Sequence, residues 1–174
     1  MIMPLKRLYF VIVLLLLVNG LSAQQVQSNG AEEHWVDSVF RSLSLEERIG
    51  QLFMFATYSN QGANNQQGIE KLIKRYNIGG LIFKQGVPVR LAVLTNKYQS
   101  LAKTPLLIAM DGEWGLGMRL DSTISYPRQM TLGAIRDDHQ IYLMGQEIGR
   151  QMQRMGVHIN FAPVGDINSH PSNP

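Results

Sequence analysis

The sequence predicts a parallel α/β fold, and three observations carry that prediction. Four short apolar runs, beginning near residues 52, 79, 106 and 157, read as buried strands. Amphipathic helical patterns separate the later runs, which is the alternation of a βα-repeat protein. The third run, Leu106 to Met110, stops abruptly at Asp111-Gly-Glu-Trp-Gly-Leu-Gly-Met-Arg119, where glycines and charges replace apolar residues. In α/β proteins ligands bind at that edge of the sheet.

The chain has 174 residues, the size of one domain, but its first residues read differently. Lys6 and Arg7 precede the apolar run Leu8 to Val18, and Gly20-Leu-Ser-Ala23 offers small residues for cleavage, so residues 1–23 are expected to be a secretory signal peptide. The run is shorter than the roughly 20 apolar residues of a membrane span, so no stable span is expected after cleavage. An exported protein, periplasmic or at the outer surface, follows. Loss of Lys6 and Arg7, with no acidic residue, takes the formal charge from +3 to +1. No basic run with interleaved aromatics remains, and nucleic acid is not an expected partner. The absence of cysteine excludes disulfides, thiolate metal sites and a cysteine nucleophile.

Gln24 to Glu33 is polar and aperiodic and reads as a linker, with structure expected from His34. Trp35, Val36, Val39 and Phe40 recur at helical spacing, and Ser44-Leu-Glu-Glu47 has the form of a capping box opening a second short helix. Strand 52–56 leads into an Asn, Gln and Gly loop from Tyr58 to Gly68, suited to solvation and also to hydroxyl-rich ligands. A helix from Gly68 to Tyr76 should bury Ile69, Leu72 and Ile73 and end at Asn77. Strand 79–83 and the turn Lys84-Gln-Gly86 follow, then a helix from Val89 to Leu101 with Val89, Val93, Leu94, Tyr98 and Leu101 as its apolar stripe. Beyond strand 106–110, Thr123 to Met130 is a loop that Tyr126-Pro127 keeps extended. Asp137 or Asp138 caps a long helix whose inner face is Ile141, Met144, Ile148, Met152 and Met155, ended by Gly156. Strand 157–161 completes the set, with Asp166 just beyond it. Four such units suit an open sheet or half of an eight-stranded barrel; in the half-barrel, Ile108 and Ile159 would point inward without an opposite wall.

Walker, His-Glu-x-x-His, Gly-x-Ser-x-Gly and dinucleotide motifs are absent, and His34, His139, His158 and His170 are scattered, so neither cofactor nor metal is expected. His158, inside a strand, reads as a hydrogen-bonded core residue. Asp111, Glu113 and Asp166 gather at strand ends, where carboxylates converge on one mouth. Glu113 and Asp166 could equally pair loop arginines such as Arg119 or Arg128. Asp111 is the better candidate for ligand contact: a carboxylate accepts hydrogen bonds from adjacent sugar hydroxyls, Trp114 could offer an apolar platform, and Arg119 could orient Asp111 or donate to the sugar.

Five segments stand out in order: Leu45-Glu-Glu-Arg-Ile-Gly-Gln-Leu-Phe53, Asn77-Ile-Gly-Gly-Leu-Ile-Phe83, Leu107-Ile-Ala-Met-Asp-Gly-Glu113 with Arg119, Tyr126-Pro-Arg-Gln-Met-Thr-Leu-Gly-Ala134, and His158-Ile-Asn-Phe-Ala-Pro-Val164 with Asp166. Together they resemble the N-terminal domain of glycoside hydrolase family 3, closest to its bacterial exo-β-N-acetylglucosaminidases. Trp114 departs from the Asp-x-Glu-Gly-Gly form common in that branch. The resemblance implies the first half of a (β/α)8 TIM-like barrel over residues 34–174, and a retaining glycosidase acting on terminal β-linked N-acetylglucosamine or a related β-hexoside. It also implies a carbohydrate substrate bound by Asp111 and Arg119. The branch's Lys-His-Phe-Pro-Gly-His-Gly acid/base loop and its Ser-Asp nucleophile segment do not occur in residues 1–174, so no catalytic residue is assigned and the fragment alone is expected to be inactive. The alternative is a non-catalytic sugar-binding or vestigial half-barrel. A carboxylate-metal hydrolase is disfavoured because no histidine cluster accompanies the acids. Oligomeric state is not encoded in any motif found.

Overall fold

The computed structural model describes residues 30–165. The expected signal peptide, most of the expected linker, Asp166 and His170 lie outside the described residues. The described residues fall into two compact units, one ending at Ser42 and the other beginning at Leu43. In the first, helix α1 runs Gly30–Ser42, so four residues assigned to the linker are helical. Ala31 is a strong helix former, and Glu32 and Glu33 sit in the first turn, where the helix dipole favours negative charge.

The second unit opens with α2, Leu45–Gly50, and its capping box forms as expected. The Ser44 hydroxyl accepts from the Glu47 N–H at 3.2 Å, and the Ser44 N–H donates to the Glu47 carboxylate at 2.8 Å. The units that follow are β1 (Met54–Tyr58), α3 (Ala63–Tyr76), β2 (Gly80–Gln85), α4 (Pro88–Leu101), β3 (Leu107–Met110), a 3-10 turn (Leu116–Met118), α5 (Gln129–Leu132), α6 (Asp138–Arg154) and β4 (Ile159–Asn160). The strands pair in sequence order and all run parallel. The expected α/β class is the observed one. Among the described residues no helix is long and apolar enough to cross a membrane.

Several elements differ from expectation. Helix α3 starts at Ala63, so the loop before it is short; its first turns are Asn and Gln, which give no apolar periodicity to detect. Its end was legible, because Asn77 takes the left-handed conformation there (φ 49°). The buried stripe of α4 is Leu91, Leu94, Thr95 and Tyr98, while Val89 and Val93 are exposed. Helix α5 is a single turn inside the expected extended loop. Helix α6 is capped by Asp137, whose carboxylate accepts from the His139 N–H at 3.1 Å, and it buries Ile148 and Met152.

Strand residues alternate between the two faces of the sheet. Leu81 pairs with Ile108 and Phe83 with Met110, and these four are fully buried with Ile69 and Ile73 of α3, Leu91, Leu94 and Tyr98 of α4, and Ile148 and Met152 of α6. Ile108 thus faces the helices and not the barrel interior. The inward face carries Ala56, Ile82, Leu107, Ala109 and Ile159, as the register of the pairs requires. Leu107 is 50% exposed on that face, and Ile82 and Ile159 are half-buried.

Candidate functional site

Asp111 follows the last residue of β3, at the C-terminal end of the sheet. Two cations meet it. Lys84 Nζ lies 2.9 Å from Asp111 Oδ2, and Arg119 Nη2 lies 2.8 Å from the same oxygen. Arg119 Nε also donates to the Asp111 backbone carbonyl at 3.1 Å, so the guanidinium grips both the side chain and the main chain. Hydrogen bonds to an ionised group are stronger than neutral ones, and these are short.

The backbone that delivers each group can be traced. Between Thr57 and Tyr58 the β1–β2 register slips: Thr57 pairs with Phe83 and Tyr58 with Gln85, leaving Lys84 as the extra residue of a bulge. A bulge re-aims a side chain, and here Lys84 turns toward β3. Gly86 then adopts φ 149°, and a Cβ there would sit 1.7 Å from the Ser59 hydroxyl, so only glycine fits. Its N–H donates to the Arg119 carbonyl at 3.0 Å and its carbonyl accepts from the Asp121 N–H at 2.9 Å, which ties the end of β2 to the turn carrying Arg119. On the other side, Asn160 of β4 clamps the residue after Asp111: its Oδ1 accepts from the Gly112 N–H at 2.9 Å. A Cβ at Gly112 would lie 2.2 Å from the Met152 methyl, so a larger residue there would have to displace the end of that side chain.

The Lys84 ammonium, hydrogen-bonded to Asp111, holds the carboxyl below its usual range; the Arg119 guanidinium adds to this, and partial burial opposes it. Asp111 is therefore ionised at neutral pH. Because its folded-state acidity is increased, the stabilisation it gives is present above the usual carboxylate range and is lost as pH falls through the lowered value. Both side-chain contacts fall on Oδ2; among the described residues none falls on Oδ1. That oxygen keeps its acceptor sites for a ligand. Beside Arg119 a polar cavity of about 190 Å³ is lined by Asn60, Gln85, Gly86 and Asp121 among others. Asn60 is the contribution of the Asn- and Gln-rich loop to this mouth.

Of the residues expected at the site, Asp111 and Arg119 come together and Arg119 orients Asp111. Glu113 forms no ion pair with either arginine among the described residues; its carbonyl accepts from Gln129 at 3.5 Å. Arg128 instead lies over the Trp114 ring, 4.7 Å from its centroid, so one face of the proposed platform is covered. His158 is hydrogen-bonded, its Nδ1 accepting from the Ile108 N–H at 3.0 Å, but it is exposed, since β4 is the edge of the described sheet. Lys84 and Asn160 were missed. Lys84 was findable, because it follows a predicted strand as Asp111 does; the bulge that aims it was not.

The family model described as "Glycosyl hydrolase family 3 N terminal domain" matches residues 44–174. Beta-hexosaminidase A of Pseudoalteromonas piscicida is 34% identical over 119 residues, 61% of this chain and 20% of that protein. A beta-N-acetylglucosaminidase/beta-glucosidase of Cellulomonas fimi is 26% identical over 140 residues, 80% of this chain and 24% of that protein. The chain thus spans about a fifth to a quarter of the length of these two relatives. A solved structure, beta-glucoside phosphorylase BglX bound to 2FGlc, is similar in fold with a TM-score of 0.77 at 24% identity, covering 88% of this chain and 27% of that one. The four parallel strands and this likeness agree with the expected first half of a (β/α)8-like barrel.

Proposed function

The chain belongs to the family of glycosyl hydrolase family 3 N terminal domains, and from that premise we propose that it is the sugar-recognising part of a retaining exo-glycosidase. The enzyme would release terminal β-linked N-acetylglucosamine, or a related β-hexoside, from cell-wall or other glycans. One observation carries this reading: an ionised carboxylate at a strand's C-terminal end, anchored through one oxygen by Lys84 and Arg119 with the other left open. Paired hydroxyls on a sugar ring are what such an oxygen can receive. The names of the two relatives support the sugar class. The attacking and proton-donating groups that retention requires are assigned to sequence outside residues 1–174.

The test is kinetic. The protein expressed from its full reading frame should hydrolyse an aryl β-N-acetylglucosaminide with the β-anomer as first product. Asp111→Ala should lose two charge-assisted hydrogen bonds of about 1.5 to 3 kcal/mol each, and even the lower sum corresponds to a fall of roughly a hundredfold in kcat/KM. Unchanged kinetics in a folded Asp111→Ala protein would return Asp111 to a purely structural role.

Export to the periplasm or outer surface belongs to the same proposal, on the basic start, apolar centre and small-residue end of residues 1–23. N-terminal sequencing of the protein from its native host should find a chain beginning near Gln24. An intact Met1 in exported material would contradict it.

A further inference from the structure

We propose that Lys84 is a positioning residue for sugar recognition: the β2 bulge delivers its ammonium to Asp111 Oδ2, and that anchor turns Oδ1 toward the substrate's hydroxyls. The inference rests on the glycosidase reading above and goes further into its site.

The geometry distinguishes this contact from an ordinary surface ion pair. Exposed pairs hold two long side chains loosely and contribute little. Here the side chain of Asp111 is 22% exposed and that of Lys84 35%, and the acceptor oxygen is already shared with Arg119. Lys84 is also the one residue of β2 between Gly80 and Gln85 without a partner in β1. A regular ladder through Lys84 would give the strand one more pair; the bulge forgoes it, and the side chain so released meets Asp111.

Arg119 alone would not fix the carboxylate in the same way. Its Nε is engaged by the Asp111 carbonyl, so Nη2 supplies the single guanidinium contact to the side chain. The terminal torsion of an aspartate is broad and roughly two-fold, and one hydrogen bond leaves it freer to swing than two from different directions. Lys84 approaches from the neighbouring strand while Arg119 approaches from the loop after β3. Together they pin Oδ2 from two elements, and the oxygen they leave open is defined by that choice. Among the described residues these are the charged groups in contact with Asp111.

The test is a double-mutant cycle in the protein expressed from its full reading frame. Lys84→Met and Lys84→Gln should each lower kcat/KM on the aryl β-N-acetylglucosaminide about tenfold, the effect of losing one hydrogen bond to a charged group. Lys84→Arg, which keeps a charged donor, should recover most of the loss. In an Asp111→Asn background the Lys84→Met change should cost less than about twofold, because a residue that acts through Asp111 has nothing left to position. The carboxyl titration of Asp111, followed by carbon-13 NMR, should move to higher pH in Lys84→Met. Full additivity with Asp111→Asn would mean that Lys84 acts on its own and would overturn the inference, as would wild-type kinetics in both Lys84→Met and Lys84→Gln. Absence of turnover by the wild-type protein would overturn the glycosidase reading and the role of Lys84 with it; turnover with neutral Lys84 variants would overturn the inference alone.

Discussion

Residues 24–174 expressed alone are expected to give no turnover of an aryl β-N-acetylglucosaminide. A retaining glycosidase needs one group to attack the anomeric carbon and another to protonate the leaving oxygen. Asp111 is assigned to sugar binding, one oxygen held by Lys84 and Arg119 and the other left to hydroxyls. Loss of either reacting group commonly costs several powers of ten in rate, and neither the acid/base loop nor the nucleophile segment of the resembling branch occurs in residues 24–174, so turnover is expected to fall below detection. The check is the purified chain assayed beside a mock preparation from the same host. Turnover above that control would mean that the reacting groups lie within these residues.

Much of the architecture was legible because it rests on local signals. The capping box at Ser44, the left-handed Asn77 and the Asp137 cap each mark a helix end by the chemistry of one or two side chains. Continuous apolar runs located all four strands to within a few residues. What stayed hidden depends on partners. Helix α4 carries apolar residues around more than one face, so periodicity could not choose Leu91 and Thr95 over Val89 and Val93; the packing against β2 and β3 chose. The face on which Ile108 lies follows from a register that no single strand reveals.

The site divides in the same way. Asp111 and Arg119 were visible as a charge at a strand end and a charge after a glycine-rich turn, eight residues apart in one segment. Lys84 belongs to another strand, and its place beside Asp111 depends on a bulge, which is a property of two strands together. Asn160 reads in sequence as a strand residue, and its grip on Gly112 needs β3 and β4 in register. The carboxylate was thus legible and its support was not.

The isolated fragment is also expected to be loosely packed and prone to aggregate. In the described sheet β1 and β4 are edges, and an unpaired edge offers its backbone groups to other chains. The inward face leaves Leu107 half exposed and Ile82 and Ile159 partly so. On the helix side an apolar cavity of about 600 Å³ is lined by Leu45, Ile49, Phe53, Phe55, Leu72, Tyr76 and Ile78, and Phe53 is 53% exposed. Each large apolar side chain left in water forfeits up to about 1.5 to 3 kcal/mol, so a handful rivals the roughly 5 to 15 kcal/mol by which a domain is stable. Residues 24–174 should therefore bind a hydrophobic dye strongly, melt over a broad range and elute as soluble aggregates. A monomer with a sharp, reversible two-state melt would show that these faces are tolerated in water, and would favour a self-sufficient small α/β domain over a half-barrel.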